Sequence, residues 1–343
     1  MKLSEFDYTL PKELIAKYPL KERDKCRLMV LDRANRTITH KTFEDIAGYF
    51  KKDDCLVLND TKVIPARLFG KRKTGGKVEL FLLDPLEAGL LTGLEKKNPI
   101  CEALARPSGR LKEGEKVTLE SGAEAEVLGR GEVGRFVKFN RPIDEILESG
   151  HVPLPPYIDR LDEPDDIGSY QTVYAAKEGA TASPTAGLHF TRELLFRIAS
   201  RVVRIAYVTL HTNYGTFAPI KTDDVESHKM HKEYFELPAE TIEAIRETKE
   251  IGGKIFAVGT TSARSLEYWA KEGRSKGDND LYIYPGFDFK IVDHLITNFH
   301  LPKSTLLLLV SAFAGKDFIL EAYRKAIENK YRFFSYGDAM LVL

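Results

Sequence analysis

Seven of the eight histidines fall between His151 and His300. Imidazole is the only side chain whose unperturbed pKa lies near neutrality, so proton transfer is the first chemistry this chain suggests. Two histidines stand at the ends of apolar runs: YVTL leads into His211 and Thr212, and HLIT leads into Asn298 and His300. Two more runs end in polar residues, CLVL in Asn59, Asp60 and Thr61, and KIFAV in Gly259, Thr260, Thr261 and Ser262. Every strand end meets a polar loop, but four such ends together predict a composite site, because open α/β sheets bind ligands outside the carboxyl ends of their strands.

Three local motifs could add to that site, and each has a plainer explanation. In Gly259-Thr-Thr-Ser-Ala-Arg264 the backbone N–H groups and hydroxyls could receive an anion at a helix N-terminus, aided by Arg264, although an N-cap by Ser262 accounts for the same letters. Ser183-Pro-Thr-Ala-Gly-Leu-His189 reads as a tight turn set by Pro184 and Gly187, with Thr185 and His189 as ligands or as parts of a helix-entry loop. His228-Lys-Met-His231 would put two imidazoles on one helix face, with Glu233 as a third metal ligand, but H-E-x-x-H is absent and a polar pair is the better reading. We expect no metal. Walker A, G-x-G-x-x-G and G-x-S-x-G sequences are missing, which disfavours conventional nucleotide sites and acyl-transfer hydrolysis.

The elements that must position these residues fall into two textures. Residues 1–59 and those from Arg141 onward mix helices and strands. Helix candidates are Pro11–Lys17, Phe43–Phe50, Ile143–Glu148, Thr191–Ala199, Ala239–Glu250, Ser262–Lys271 and Lys316–Asn329, and the later strands include KIFAVGTT, DLYIYPG and HLITNFH. Between about Thr61 and Asn140 the chain shows only short strand-like runs separated by turns, the pattern of a small antiparallel barrel. The expected fold is therefore a layered α/β main domain, residues 1–59 and 151–343, with an inserted small antiparallel β-barrel-like domain at 60–150.

Composition narrows the partners. Fifty-one basic and 51 acidic residues cancel, so the chain lacks the bulk positive field of a protein that coats nucleic acid. One segment departs from this balance: Lys62, Arg67, Lys71, Arg72, Lys73 and Lys77 come with no acidic residue before Val78. Such a turn is either a solvated loop or a phosphate contact. Three separated cysteines fit a reducing cytoplasm, and the longest apolar run near the C-terminus, Leu306–Val310, is too short to span a membrane.

Long stretches of the chain resemble one family: FDYTLPKELIAKYPL, RDKCRLMVLDR, LVLNDTKVIPARLFGKRKTGGKVEL, GHVPLPPYIDR, SPTAGLHFT, GTFAPI, HKMHKEYF, AVGTTSARSLE, LITNFHLPKSTLLLLVSAFAG and YRFFSYGDAMLVL. The chain is similar to the S-adenosylmethionine:tRNA ribosyltransferase-isomerases of queuosine biosynthesis. The resemblance implies transfer of the ribosyl group of S-adenosylmethionine onto 7-aminomethyl-7-deazaguanine in a tRNA anticodon, with isomerisation to epoxyqueuosine and release of adenine and methionine. It also implies a cytoplasmic monomer in which S-adenosylmethionine is consumed as substrate and no prosthetic group is held. Where the family usually has glycine, this chain has Asn213, which puts in doubt any role needing bare backbone there. Ser183 and Lys232 also replace the usual alanine and serine.

That reaction needs a base for the C–H acidified by the sulfonium, a donor for departing adenine and a deprotonated amine. The catalytic candidates are His189 and His211, then His228 and His231, with Asp60 and Asp338 as carboxylate alternatives. Thr260, Thr261, Ser262 and Arg264 are expected to hold the methionine carboxylate, Thr185 and Gly187 to line the substrate, and Asn298, His300 and Tyr336 to read a base. The cationic turn is expected to touch tRNA. Two other readings remain open at this level, an RNA-binding module without catalysis and a methyltransferase.

Overall fold

Alternating burial decides which face each strand gives to which layer. The protein's structure, a computed structural model, describes residues 1–83, 98–131, 133–213, 220 and 222–343; most of GTFAPI, and the last residue of the KVELFLLD run, lie outside the described residues. The main sheet opens with β1 (Arg27–Asp32), β2 (Thr37–Thr42) and β3 (Cys55–Asn59), and the chain then leaves it through the short β4 (Thr61–Val63). Next come β5 (Arg67–Arg72), β6 (Lys77–Leu82), β7 (Ile100–Arg106), β8 (Lys116–Leu119), β9 (Glu124–Arg130) and β10 (Arg135–Phe139). These six close into an antiparallel barrel in the order β10-β7-β6-β5-β8-β9. In KVELFL, Val78, Leu80 and Leu82 point inward to Ala103, Val117, Ala125 and Val137, so period-2 alternation fills the interior.

The short helices α1 (Ile143–Leu147) and α2 (Asp166–Ser169) lead to β11 (Lys177–Ala180), which pairs in parallel with β4. Then follow α3 (Arg192–Ala199), β12 (Arg204–Leu210), β13 (Glu233–Glu236), α4 (Ala239–Glu250), β14 (Ile255–Val258), α5 (Gly259–Glu272), β15 (Lys276–Asn279), β16 (His294–Asn298), α6 (Thr305–Ala314), α7 (Lys316–Glu328) and β17 (Ala339–Val342). The nine-stranded sheet runs β15-β13-β12-β3-β14-β16-β17-β1-β2. At its centre β12, β3, β14 and β16 are mutually parallel. Cys55, Val57, Ala257 and Leu295 face a core with Ala263 and Leu266 of α5, while Leu56, Leu58, Val258 and Ile296 face Phe43, Phe190 and Leu194 on the other side. A sheet covered on both faces explains why its central strands read as continuous apolar runs.

Several expected elements are corrected. Pro11–Lys17 supplies only a single 3₁₀ turn, Lys12–Leu14, with no residue fully buried to hold a longer helix. Phe43–Phe50 is also 3₁₀, over Phe43–Tyr49. The strand expected at DLYIYPG lies just before it, at β15, because Lys276–Asn279 pairs with β13. Helix α6 went unread since TLLLLVSAFA is apolar all round and carries no period, and β2 because it is mostly exposed. Helix α5 starts at Gly259 rather than Ser262: Gly259 takes φ +84°, which lets the chain turn from β14 straight into the helix. Ser262 is thus an interior residue and not the N-cap.

Candidate functional site

Because the four central strands are parallel, their carboxyl ends open on one edge of the sheet, and the polar residues that follow meet there. The Asn59 side chain ties two of these ends together: its Nδ2 donates to Leu210 O (3.0 Å), and its Oδ1 accepts from Leu210 N (3.0 Å) and Thr61 N (3.2 Å). Thr61 Oγ1 shares a hydrogen bond with His211 Nδ1 (2.8 Å), and the His211 ring lies nearly parallel to Tyr234. Burial, with Lys177 nearby, pulls His211 down to about 4. The Thr209 hydroxyl donates to Asp60 Oδ1 (2.6 Å), and burial raises the Asp60 carboxyl despite that bond.

The second cluster forms around Asn298 at the end of β16. The turn Thr185–His189 is a 3₁₀ helix, and the Thr185 hydroxyl donates to Asn298 Oδ1 (3.4 Å). Asn298 Nδ2 contacts both Phe334 O and His189 Nε2, each at 3.1 Å. His189 Nδ1 lies 3.2 Å from Cys26 Sγ, a residue the motifs did not single out. His189 is fully enclosed, and burial, with Arg332 and Arg23 adding repulsion, drives it down to about 3. Thr185, Asn298 and His300 line a cavity of about 350 Å³ with Tyr157, Lys303 and Ser335, within the size range of small-molecule sites. His300 Nε2 bonds Thr297 Oγ1 (2.8 Å), and burial lowers His300 to about 3.

The remaining candidates sort differently. Thr260, Thr261 and Ser262 are buried in the first turn of α5, and the Thr261 and Ser262 hydroxyls have no hydrogen-bond partner among the described residues, as is also true of Ser183 and Thr212. Thr212, Thr261 and Ser262 follow the ends of β12 and β14, Ser183 follows β11, and these hydroxyls suit a ligand with donors or acceptors to spare. Arg264 does not point to them: it is buried in an ion pair with Glu233 and donates to Leu281 O. Its expected role as a free cation at the helix N-terminus is corrected, because the guanidinium is spent on Glu233, whose other oxygen accepts from Asn213 N in the loop after β12. The same pair occupies Glu233, the third ligand of the alternative metal reading, and His228 and His231 lie in a segment that is not helical. His228 packs edge-on against Tyr282, and burial, then His231, lowers it. Among the described residues no group of three His, Cys, Asp or Glu is placed to hold a metal.

Asp338 accepts from the backbone N–H groups of Arg27 (3.0 Å) and Arg332 (2.8 Å), so its carboxylate staples the chain ends, and burial raises it despite these bonds. The Tyr336 hydroxyl donates to Asp166 Oδ1 (2.9 Å), and Asp166 also receives Arg160 in a two-pronged pair. Tyr336 borders a small void with Cys26 and His189 instead of the large cavity, which corrects its expected place beside Asn298 and His300. At Gly187 a Cβ would collide with Tyr174 Oη, so close packing is what requires glycine. Asn213 has no positive φ, and its N–H donates to Glu233 Oε1 (3.0 Å), so bare backbone is not needed at that position.

The cationic segment divides in half. Lys62 pairs with Glu178, Arg67 with Glu79 and Arg72 with Glu115. Lys71, Lys73 and Lys77 are exposed and make no ion pair among the described residues. Lys71 and Lys77 stand directly opposite each other on β5 and β6, an arrangement that repels itself unless an anion arrives. Arg67 also borders a second cavity of about 350 Å³ between the barrel and the segment from Pro153 to Leu161, with Arg106 and Arg160.

Comparison with known proteins places this geometry. A protein from Sulfurihydrogenibium sp. (strain YO3AOP1) is 56% identical over 346 residues and one from Trichlorobacter lovleyi 48% over 351, each with complete coverage of both chains. Both carry the name S-adenosylmethionine:tRNA ribosyltransferase-isomerase. The crystal structure of the S-adenosylmethionine tRNA ribosyltransferase from Thermotoga maritima matches with TM-score 0.56 and 40% identity, covering 99% of this chain and 100% of that one. The family model described as queuosine biosynthesis protein matches residues 3–342, and the chain belongs to that family.

Proposed function

We propose that this chain transfers the ribosyl group of S-adenosylmethionine onto 7-aminomethyl-7-deazaguanine in a tRNA anticodon and isomerises it, giving epoxyqueuosine-tRNA, adenine and methionine. The observation that carries this reading is the end-to-end match, 56% identical without a missing segment, to a relative with that activity in its name. S-adenosylmethionine is the substrate consumed. The three cysteines are free and buried, which suits a reducing cytoplasm, and the reading takes the protein to act there as a monomer.

The site offers what the reaction asks for. His211 is the group we assign to removal of the acidified proton: Thr61 holds Nδ1, Nε2 makes no hydrogen bond among the described residues, and burial keeps the ring neutral, the state a base must be in. Asp60, the residue immediately before Thr61 and hydrogen-bonded by Thr209, is the carboxylate we assign to oppose the sulfonium charge once ionised. His300 and Asn298 on the cavity wall provide contacts for the adenine or the modified base, and the buried hydroxyls of Thr261, Ser262 and Ser183 remain for the methionine portion. Lys71, Lys73 and Lys77 supply phosphate contacts. The test is direct: incubation with S-adenosylmethionine and tRNA bearing the aminomethyl base should release adenine and methionine. S-adenosylhomocysteine would mean methylation, and tRNA retention without turnover would mean a binder. His211→Ala should slow adenine release by about 10²- to 10⁴-fold.

A further inference from the structure

The groups around Asn298 leave little freedom for its amide. Phe334 O can only accept, so Nδ2 is the atom 3.1 Å from it and Oδ1 faces Thr185 on the cavity wall. The second Nδ2 hydrogen then points at His189 Nε2, which must present its lone pair. A buried neutral imidazole carries one proton, which is therefore on Nδ1, directed at Cys26 Sγ. The chain of contacts runs Cys26, His189, Asn298, Thr185, and only its last two members reach the large cavity.

We infer that Cys26 is a positioning residue: by accepting the Nδ1 proton of His189 it stabilises the imidazole in the tautomer whose bare Nε2 receives Asn298 Nδ2, and so steadies the Asn298 carbonyl oxygen that faces the cavity. His189 then acts through Asn298 and is not itself the proton-transfer group. If the proton moved to Nε2, two donors would meet head-on, and the amide could not flip to relieve them, because Oδ1 would then face Phe334 O. The ligand that benefits is an N–H donor, which both the adenosyl amine and the attacking aminomethyl group provide. This assignment of a ligand rests on the reaction proposed above, whereas the tautomer does not.

Two readouts separate the parts. In full-length protein with ¹⁵N-labelled histidine, His189 should show a protonated Nδ1 and a bare Nε2. Cys26→Ala should leave the Nδ1 proton without its acceptor, shift the His189 Nδ1 resonance and lower kcat/KM for adenine release about tenfold, and Cys26→Ser, which keeps an acceptor, should restore both. His189→Gln, whose amide oxygen can accept from Asn298, should keep more activity than His189→Ala. A bare Nδ1 in the wild type overturns the inference, as does unchanged turnover in Cys26→Ala. Should the wild type release no adenine at all, the reaction assignment fails, and the nitrogen spectra still decide the role of Cys26.

Discussion

Arg264 and Glu233 form an ion pair almost wholly removed from water, with side chains 3% and 1% exposed. Arg264 lies in the second turn of α5 and Glu233 opens β13, so the pair locks that helix to the sheet edge. Through its other oxygen Glu233 also takes the Asn213 N–H at the end of the β12 loop. Removing one member strands a buried charge, so Arg264→Met should cost about 3–5 kcal/mol of stability, measured by urea unfolding. Replacing both with apolar residues should cost clearly less than the sum of the two single changes.

Acid should erode stability through the buried histidines. His189 and His300 ordinarily sit near 6.5 and are held at about 3, chiefly by burial. Between these values the unfolded chain binds more protons, so stability rises with pH there. It is fully present above about 6.5 and is lost as pH falls toward about 3. Each histidine should cost about 2 kcal/mol by about pH 5. His300→Gln should flatten the dependence by one proton, about 1.4 kcal/mol per pH unit, in unfolding curves taken across that range.

Gly187→Ala should impair the site through packing. The new methyl would collide with Tyr174 Oη and lie 2.9 Å from Thr172 Cγ2, displacing the turn that carries Thr185 and His189. A shift of about 1 Å in a positioning element can cost about 10²-fold in rate. The Tyr174 hydroxyl has no hydrogen-bond partner among the described residues, so Tyr174→Phe should be mild alone and should recover part of the loss in the double variant. Equal activity of the single and double Gly187 variants would argue against this collision.

The unpaired lysines should dominate the salt dependence of tRNA binding. Changing Lys71, Lys73 and Lys77 together to Ala should reduce the slope of log K against log salt by about 2–3. Lys62→Ala should barely change it, because Glu178 already neutralises that lysine. Filter binding of tRNA at several salt concentrations checks both statements.

Local pattern determined much of this protein. Period-2 alternation and turn spacing marked the barrel, continuous apolar runs marked the central strands, and helices such as Ala239–Glu250 were legible to the residue. The polar residues after those runs share one edge of the sheet, since parallel strands all end on one side. Only the tertiary structure decided which side chains pair. Cys26 lies 163 residues from His189, and His189 lies 109 from Asn298. Arg264 and Tyr336, both read as ligand contacts, turned out to face Glu233 and Asp166. Periodicity sets the face on which a residue lies, whereas strand order and register set what it meets there, and those depend on long-range packing that no local motif encodes.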